Sequence, residues 1–314
     1  MTPVDQYSID YIKESNNILA NKGKTFFWAK FLLKQEHAED ATRLYRFCRY
    51  IDDIGDESDD KDHAHQVLSK VISEINAGIS SDPVINDAIK LFNKKNIDIR
   101  VPIELINGVL SDLQPVRIAS EDQLLIYCYR VAGTVGLMMS KILDVNDERA
   151  YAHAIDLGIA MQLTNICRDV TEDAIMQRRY IPGSMCNNPE PELLINPDKE
   201  IKILISKNLN DLLHMADSYY QSGHDGLCFL PLRARMGMAI AAFLYRHIGV
   251  KLKNKNYEFW MGRVFVPKAL KLKLTVQILL HSIFDAGFHQ YKVKHQVQLH
   301  QPLKNLPYAN ESAL

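Results

Sequence analysis

The chain has 314 residues, of which 47% are hydrophobic and 24% charged, a composition that excludes a disordered protein. Its 37 Lys and Arg residues nearly balance 38 Asp and Glu residues, and the net charge of -1 excludes an overall basic field for nucleic acid. The five cysteines form no C-x-x-C pair, which argues against a disulfide framework or cysteine zinc site and fits a reducing cytoplasm. No stretch approaches the ~18 uninterrupted apolar residues of a membrane span, and the N-terminus lacks an apolar signal core.

Helical periodicity dominates the sequence from its first clear element onward. The first apolar stripe with helical spacing contains Leu44, Phe47, Cys48 and Ile51. Pro83 and Pro102 then mark helix starts, because proline suits the first turn of a helix. A later stripe contains Ile155, Ile159, Leu163, Ile166 and Val170. Alternating strand patterns are scarce, so the sequence predicts an all-α fold.

Breaks in this periodicity suggest the organisation of the chain. The sequence SEDQ at residues 120–123 resembles a capping box that begins a helix. Residues 182–200 contain four prolines and little periodicity, so we predict an irregular connection between two halves of one helical domain. We therefore predict a single α-helical domain over residues 1–290 and a flexible C-terminal tail over residues 291–314.

Two polar clusters interrupt the apolar stripes. In CRYIDDIGDE, residues 48–57, Asp52 and Asp56 are four apart, which places them about 6 Å apart along a helix axis and about 40° around it. Both carboxylates can point into one space, with Asp53 beside them and Arg49 one turn earlier. The second cluster, within residues 161–182, aligns three oxygen-bearing side chains four apart and adds two polar neighbours: Asn165, Asp169 and Asp173, with Gln162 and Arg168.

A solvated acidic face is the ordinary explanation for carboxylates on helices and has to be weighed here. Two features count against it: both clusters lie in strongly apolar stretches, and carboxylates four apart repel each other unless a cation offsets their charge. A calcium loop does not fit, because its sixth position would be Glu57 or Lys61 and not glycine. Carboxylate and amide oxygens favour hard cations such as Mg²⁺.

These clusters predict a diphosphate site, because Mg²⁺ usually takes one or two protein carboxylates and completes its coordination with water and phosphate oxygens. We expect a diphosphate held by several Mg²⁺ ions, with Mn²⁺ as a substitute. Four arginines are candidates to complete the shell of the anion: Arg49, Arg168, Arg178 and Arg179. For Arg178 and Arg179, a plain surface position is an equal alternative.

Three longer motifs resemble the squalene/phytoene synthase family of head-to-head prenyl coupling enzymes: YRFCRYIDDIGDE, YCYRVAGTVGLMM and GIAMQLTNICRDVTEDAIMQRRYIP. The resemblance covers roughly residues 15–275. Two segments resemble the phytoene-forming branch more than the squalene-forming one: GLCFLPLRARMGMAIAAFLYRHIGVKL and RVAGTVGLMM. The resemblance implies one isoprenoid-synthase domain of α-helices around a central cavity.

The resemblance also implies roles for individual residues. It makes Asp52 and Asp56 metal ligands on one wall, with Asp53 supporting them. Ligands on the opposite wall would be Asn165, Asp169 and Asp173. Substrate-contacting positions would be Tyr45, Arg49, Gln162, Arg168 and Tyr245. Near the N-terminus, Lys22 and Thr25 match a diphosphate-contacting segment, although Thr25 and Phe27 stand where serines are common. QRRY at residues 177–180 replaces the common G-R-x-Y, which leaves the role of Arg178 open.

Residues 127–136 allow two interpretations. Gly133 and Gly136 would let a helix pack closely on its neighbour, which is a structural role. The resemblance instead implies a cavity wall along the prenyl chain, where Tyr129 would act in catalysis by facing a carbocation through its ring.

The activity implied by the resemblance is condensation of two geranylgeranyl diphosphates, through prephytoene diphosphate, to phytoene for carotenoid biosynthesis. No NADPH is expected, because the reaction ends by proton loss and consumes no hydride. The nearest alternative is coupling of farnesyl diphosphate to presqualene diphosphate, squalene or dehydrosqualene. A terpene cyclase or a non-catalytic helical assembly factor is a further alternative, although the intact aspartates count against the latter.

The expected partners follow from the implied substrate. Because substrate and product are long hydrocarbons, we expect a cytoplasmic protein that binds the inner membrane face peripherally. Candidate contacts are residues 182–200, with Leu193, Leu194 and Ile195, or the basic, apolar stretch 264–280. Carotenoid-pathway enzymes are candidate partners, and nucleic acid is not.

Overall fold

The structure, a computed structural model, describes residues 32–309 apart from residues 57 and 59. Its first four helices are α1 Gln35–Asp56, α2 Lys61–Ala77, α3 Pro83–Lys95 and α4 Arg100–Ser111. Aspartates begin two of them: Asp60 accepts a hydrogen bond from the amide of His63, and Asp82 accepts from the amide of Ile85. Gly78, with φ of +72°, ends α2 in the left-handed conformation that favours glycine.

The middle of the chain forms the centre of the molecule. It comprises β1 Val116–Arg117, α5 Glu121–Cys128, a π-helical turn Tyr129–Gly133, α6 Thr134–Ile142, α7 Arg149–Arg168, α8 Val170–Ile175 and β2 Arg178–Arg179. Ser120 accepts from the amide of Gln123, and the Gln123 side chain accepts from the amide of Ala119. The helix start is therefore capped as expected by Ser120, with the glutamine bonding one residue earlier than in a standard capping box. The two short strands pair in parallel, Val116 opposite Arg178.

The second half contains α9 Gly183–Cys186, α10 Glu192–Ile195, α11 Lys199–Asp225, α12 Leu232–Asn254, α13 Lys268–Phe284 and α14 Ala286–His289. Short 3₁₀ helices cover Leu227–Phe229, Phe259–Met261 and Val297–Leu303. Almost all regular structure in the described residues is helical, which confirms the predicted all-α fold. None of the described helices is long and apolar enough to cross a membrane.

Helix α7 is the hub of the fold, because it packs against α6, α11, α12 and the π-helical turn. Most residues of α7 are buried. A helix surrounded by protein on most sides needs no polar face, and the sequence of α7 accordingly has only a weak amphipathic pattern. Two glycines permit close backbone contacts: a Cβ on Gly136 would lie 2.1 Å from the carbonyl oxygen of Ala154, and one on Gly158 would lie 2.3 Å from that of Ala132. Gly136 thus packs closely on α7, and four residues of this segment also line the cavity described below, so both interpretations of residues 127–136 hold: Val131, Ala132, Val135 and Gly136.

The segment after residue 290 differs from the predicted flexible tail over its described part. Leu303 and Ala309 are buried in the main core, and tyrosines from the domain bond to the segment's backbone. Tyr219 Oη donates to the carbonyl of Leu299 at 2.8 Å, and Tyr129 Oη donates to that of Pro307 at 2.6 Å. The segment's polar composition hid this docking, because its partners are backbone carbonyls and a few spaced apolar side chains.

We predict that Gly158→Ala destabilises the protein, because the added methyl would collide with backbone and not with a movable side chain. The expected loss is about 1–3 kcal/mol in the free energy of unfolding, measured by urea titration. Gly249→Ala is the matched control: its Cβ would meet the end of the Leu213 side chain at 3.1 Å, and alanine favours the helix. Equal losses in both variants would contradict this account.

Candidate functional site

An apolar cavity runs along α7 between the two halves of the domain. Its lining on this helix recurs with helical spacing: Ala150, His153, Ala154, Leu157, Gly158, Met161, Gln162 and Asn165. From Ala150 to Asn165 the helix rises about 22 Å. Polar lining residues collect at the Asn165 end, where α1 contributes Tyr45 and Asp52 and α12 contributes Tyr245. The cavity therefore has one polar end and a long apolar body.

Helix α1 supplies the first wall of the polar end. Asp52 and Asp56 lie one turn apart on this helix, and Arg49 forms an ion pair with Asp53. Burial, together with the neighbouring charge of Asp56, raises the pKa of Asp52 to about 7. The positive charges of the described side chains therefore do not fully offset the negative charge that Asp52 carries when ionised.

The second wall forms where α7 ends and α8 begins. Helix α7 stops at Arg168, yet amide hydrogen bonds from Asp169 to the carbonyl of Asn165 and from Asp173 to that of Asp169 maintain the four-residue spacing across the break. Asn165 Oδ1 is buried and accepts no hydrogen bond from any described residue. Burial, and next the charge of Asp169, raises the pKa of Asp173 well above its usual value.

Asp169 is held by two arginines. Arg168 makes a forked contact with it at 2.7 and 2.5 Å, and Arg263, from the loop after Phe259–Met261, makes another at 2.8 and 2.9 Å. Sequence analysis did not identify Arg263, because it stands alone in a segment with no polar motif. Two guanidinium groups at one carboxylate also place cationic donors at the edge of the site, where an anion would enter.

Asp112 links the two walls and was also missed. It follows α4 and accepts hydrogen bonds from Tyr127 Oη at 2.8 Å and Tyr180 Oη at 2.9 Å. Burial raises its pKa to about 6, although the charge of Arg178 and the two hydroxyl donors oppose that shift. The charge of Asp112 in turn contributes to the raised pKa values of Asp52 and Asp173.

The adjacent arginines of β2 have different roles. Arg178 Nη1 donates to Asp56 at 2.9 Å, and the charge of Arg178 also acts on Asp173, so this side chain lies between the walls. Arg179 points into the protein and donates to the carbonyls of Ile118 and Ile181. Because Arg178 and Arg179 are both buried, the alternative that they are plain surface residues is wrong. Arg179 has a structural role and does not face the polar end.

Of the remaining predicted residues, Tyr45, Gln162 and Tyr245 line the cavity at its polar end. Lys22 and Thr25 lie outside the described residues. Tyr129 is fully buried but is absent from the cavity lining, and its hydroxyl donates to Pro307. The expectation that Tyr129 faces a carbocation is therefore wrong. It begins the π-helical turn, and its side chain reaches the C-terminal segment instead.

The donor atoms at the polar end match the preferences of a hard divalent cation. Oxygens dominate both walls, and the buried Asn165 Oδ1 is an amide oxygen with a free coordination position among the described contacts. Burial, and next the charge of neighbouring carboxylates, raises the pKa values of Asp52, Asp112 and Asp173, and a bound cation would favour their ionised forms. Asp52, Asp56, Asn165, Asp169 and Asp173 are the residues in position to hold such ions.

Comparison with known proteins assigns this arrangement to a family. The squalene/phytoene synthase family profile matches residues 19–270. A phytoene synthase of Pseudescherichia vulneris is 30% identical over 275 residues, covering 84% of this chain and 89% of that protein. A 15-cis-phytoene synthase of Pantoea ananas is 30% identical over 268 residues, covering 82% and 87%.

Solved structures show the same fold. A dehydrosqualene synthase superposes with a TM-score of 0.77 at 24% identity, covering 88% of this chain and 98% of that one. The squalene synthase HpnC from Alicyclobacillus acidocaldarius superposes with a TM-score of 0.70 at 16% identity, covering 82% and 97%.

We predict that Mg²⁺ and inorganic pyrophosphate together raise the melting temperature. At about a hundredfold excess over Kd the expected rise is about 5 °C, because the ligands bind only the folded protein. Asp52→Asn and Asp169→Asn should each remove most of this shift, while Asp211→Asn, on the exposed surface of α11, should retain it. A shift that survives in both wall variants would place the ions elsewhere.

Proposed function

Because this chain belongs to the squalene/phytoene synthase family, we propose that it couples two molecules of geranylgeranyl diphosphate to phytoene and releases diphosphate. The observation that supports this most directly is the pairing of two carboxylate walls with one long apolar cavity. Members of the family are prenyltransferase-type enzymes, and relatives at about 30% identity over most of the chain carry the name phytoene synthase.

We propose that Asp52, Asp56, Asn165, Asp169 and Asp173 hold Mg²⁺, with Asp53 supporting the first wall. When bound, Mg²⁺ would supply positive charge that stabilises the departing diphosphate. Arg178, between the walls, and Arg263, at the edge, offer additional donors to the phosphate oxygens.

The side chains of the cavity divide the reaction between its two ends. At the polar end, Tyr45, Gln162 and Tyr245 lie where the diphosphate joins the prenyl chain and would orient the allylic carbon. Loss of diphosphate leaves an allylic cation that the double bond of the second substrate attacks. Loss of a proton from the resulting tertiary cation then closes the cyclopropane ring of prephytoene diphosphate. The apolar lining along α7 excludes water that would quench the cations of this step and of the rearrangement to phytoene.

Coupling of farnesyl diphosphate is the second candidate, because two fold neighbours are a dehydrosqualene and a squalene synthase. Their identities of 24% and 16% support the shared fold but no substrate. The sequence relatives favour phytoene synthesis, and the segment of α7 that lines the cavity rises about 22 Å, which agrees with a long prenyl chain.

We predict that geranylgeranyl diphosphate and Mg²⁺ suffice for turnover, and that NADPH changes neither the rate nor the hydrocarbon. The physical reason is that the final cation loses a proton and accepts no hydride. Reactions with each of the two diphosphates, with and without NADPH, followed by identification of the hydrocarbon, provide the measurement. A product formed only with NADPH, or only from farnesyl diphosphate, would move the chain to the squalene-forming branch.

The same assay tests the two walls. Asp52→Asn and Asp169→Asn preserve shape but remove charge, and each should lower the rate by at least about 10²-fold at saturating Mg²⁺. Asp211→Asn again serves as the matched control. Wild-type turnover in either wall variant would contradict the two-wall assignment.

We also propose that α13 carries the protein to a lipid surface, from which a hydrocarbon substrate can be taken. Leu274 and Ile278 are buried. On the same helix, four apolar residues spaced at intervals of four form an exposed stripe: Leu272, Val276, Leu280 and Phe284. Lys268, Lys271 and Lys273 provide basic groups that favour anionic headgroups. In the other candidate contact, residues 182–200, Leu194 is buried, which leaves Leu193 as an isolated exposed leucine.

We expect the protein to float with anionic lipid vesicles and the double variant Leu272→Glu/Leu280→Glu to bind them at least about tenfold more weakly, because two leucines leave the lipid. Leu193→Glu is the matched control and should float like the wild type. Wild-type protein that stays out of the vesicle fraction, with and without substrate, would refute this proposal.

A further inference from the structure

At the apolar end of the cavity lies a group of four packed side chains, here called the floor cluster: Arg149, His153, Phe229 and Tyr291. His153 and Phe229 line the cavity, and the Tyr291 ring packs behind them with centroid distances of 5.8 and 4.7 Å. The Arg149 guanidinium lies 5.3 Å from the Phe229 ring and 5.2 Å from the Tyr291 ring. Tyr291 thus supports the two residues that end the cavity.

A buried clamp fixes the chain that carries Tyr291. Asp156, on α7, is fully buried. Its carboxylate is hydrogen-bonded to Nε2 of His295 and to Nε2 of His300, each at 2.8 Å. His300 Nδ1 lies 2.9 Å from the carbonyl oxygen of Ala309, so both of its nitrogens face acceptors and both carry protons. With a proton on each nitrogen of His300, hydrogen bonds alone account for its two contacts. The Asp156 carboxylate raises the pKa of His300 despite the opposing effect of burial.

Clamp and floor share a residue. Ser222 Oγ donates to Asp156 at 2.5 Å, and the carbonyl oxygen of Ser222 accepts from His153 Nδ1 at 2.7 Å. The His153 and His295 rings also meet edge to face, with centroids 5.3 Å apart. Displacement of the C-terminal segment from Asp156 would therefore release the floor cluster as well.

The segment that carries Tyr291, His295 and His300 lies beyond residues 19–270, the part of the chain that the family profile matches. The two carboxylate walls lie within that part. The two residues that line the apolar end, His153 and Phe229, are thus supported by a segment outside the shared family region.

We propose that residues 291–309 determine the length of prenyl chain that the cavity accepts, with Tyr291 as the specificity-determining residue and Asp156 as the residue that positions the segment. This inference rests on the proposed function for the identity of the substrate. It assigns no step of catalysis to either residue.

Binding of non-hydrolysable thiolodiphosphate analogues of farnesyl, geranylgeranyl and geranylfarnesyl diphosphate, measured by calorimetry with Mg²⁺, tests the proposal without requiring turnover. Tyr291→Ala should improve the affinity ratio of the geranylfarnesyl to the geranylgeranyl analogue by at least about tenfold, since small changes in pocket size discriminate at this scale. Tyr291→Trp should shift preference toward the farnesyl analogue. Tyr308→Ala is the matched control. Tyr308 belongs to the same segment as Tyr291, but it packs on Tyr151 of α7, away from the cavity.

Hydrogen exchange tests the clamp separately. In Asp156→Asn, amides of residues 297–309 should exchange faster, and the affinity ratio should move in the same direction as in Tyr291→Ala. An unchanged ratio in folded Tyr291→Ala and Tyr291→Trp, judged by circular dichroism, would overturn the proposal. Hydrocarbon formation is measured in parallel: normal analogue binding without coupling would refute the proposed function alone, and a wild type that binds none of the analogues would overturn both.

Discussion

The burial of several carboxyl groups at one end of the cavity is the constraint on which the rest of the polar end depends. Burial is the main cause of the raised pKa values of Asp52, Asp112 and Asp173. Neighbouring charges add to it: Asp56 acts on Asp52 and Asp112, and Asp112 acts on Asp52 and Asp173. Burial also removes the water that would screen this repulsion. Arg178 offsets part of this charge, and Tyr127 and Tyr180 hold Asp112 in place between the walls. Such a site is prepared to bind positive charge.

Helix α7 connects this charged end with the apolar end of the same cavity. Its last turn contributes Asn165 and precedes Asp169, while its first turns line the apolar end at Ala150 and His153. One helix thus extends from the polar end of the cavity to its apolar end. Close packing at Gly136 holds it rigidly against α6, so both ends keep a fixed separation.

The sequence was sufficient for the fold and for most of the polar end, because both depend on local spacing. Asn165, Asp169 and Asp173 remain aligned even where the helix breaks, since their backbone hydrogen bonds continue through Asp169. Asp112 and Arg263 escaped prediction because each is a single residue brought in by tertiary packing. Tyr129 was misplaced for a related reason: periodicity indicates that a residue is buried, but not which of two buried neighbours it contacts.

The clamp at Asp156 also bears on how the protein is made. Translation proceeds from the N-terminus, so α1 and α7 leave the ribosome before His295 and His300 have been added. A nascent chain at that stage has both carboxylate walls, but His153 and Phe229 at the apolar end still lack the support of Tyr291. The order of synthesis therefore makes docking of residues 291–309 a late step in assembly of the cavity.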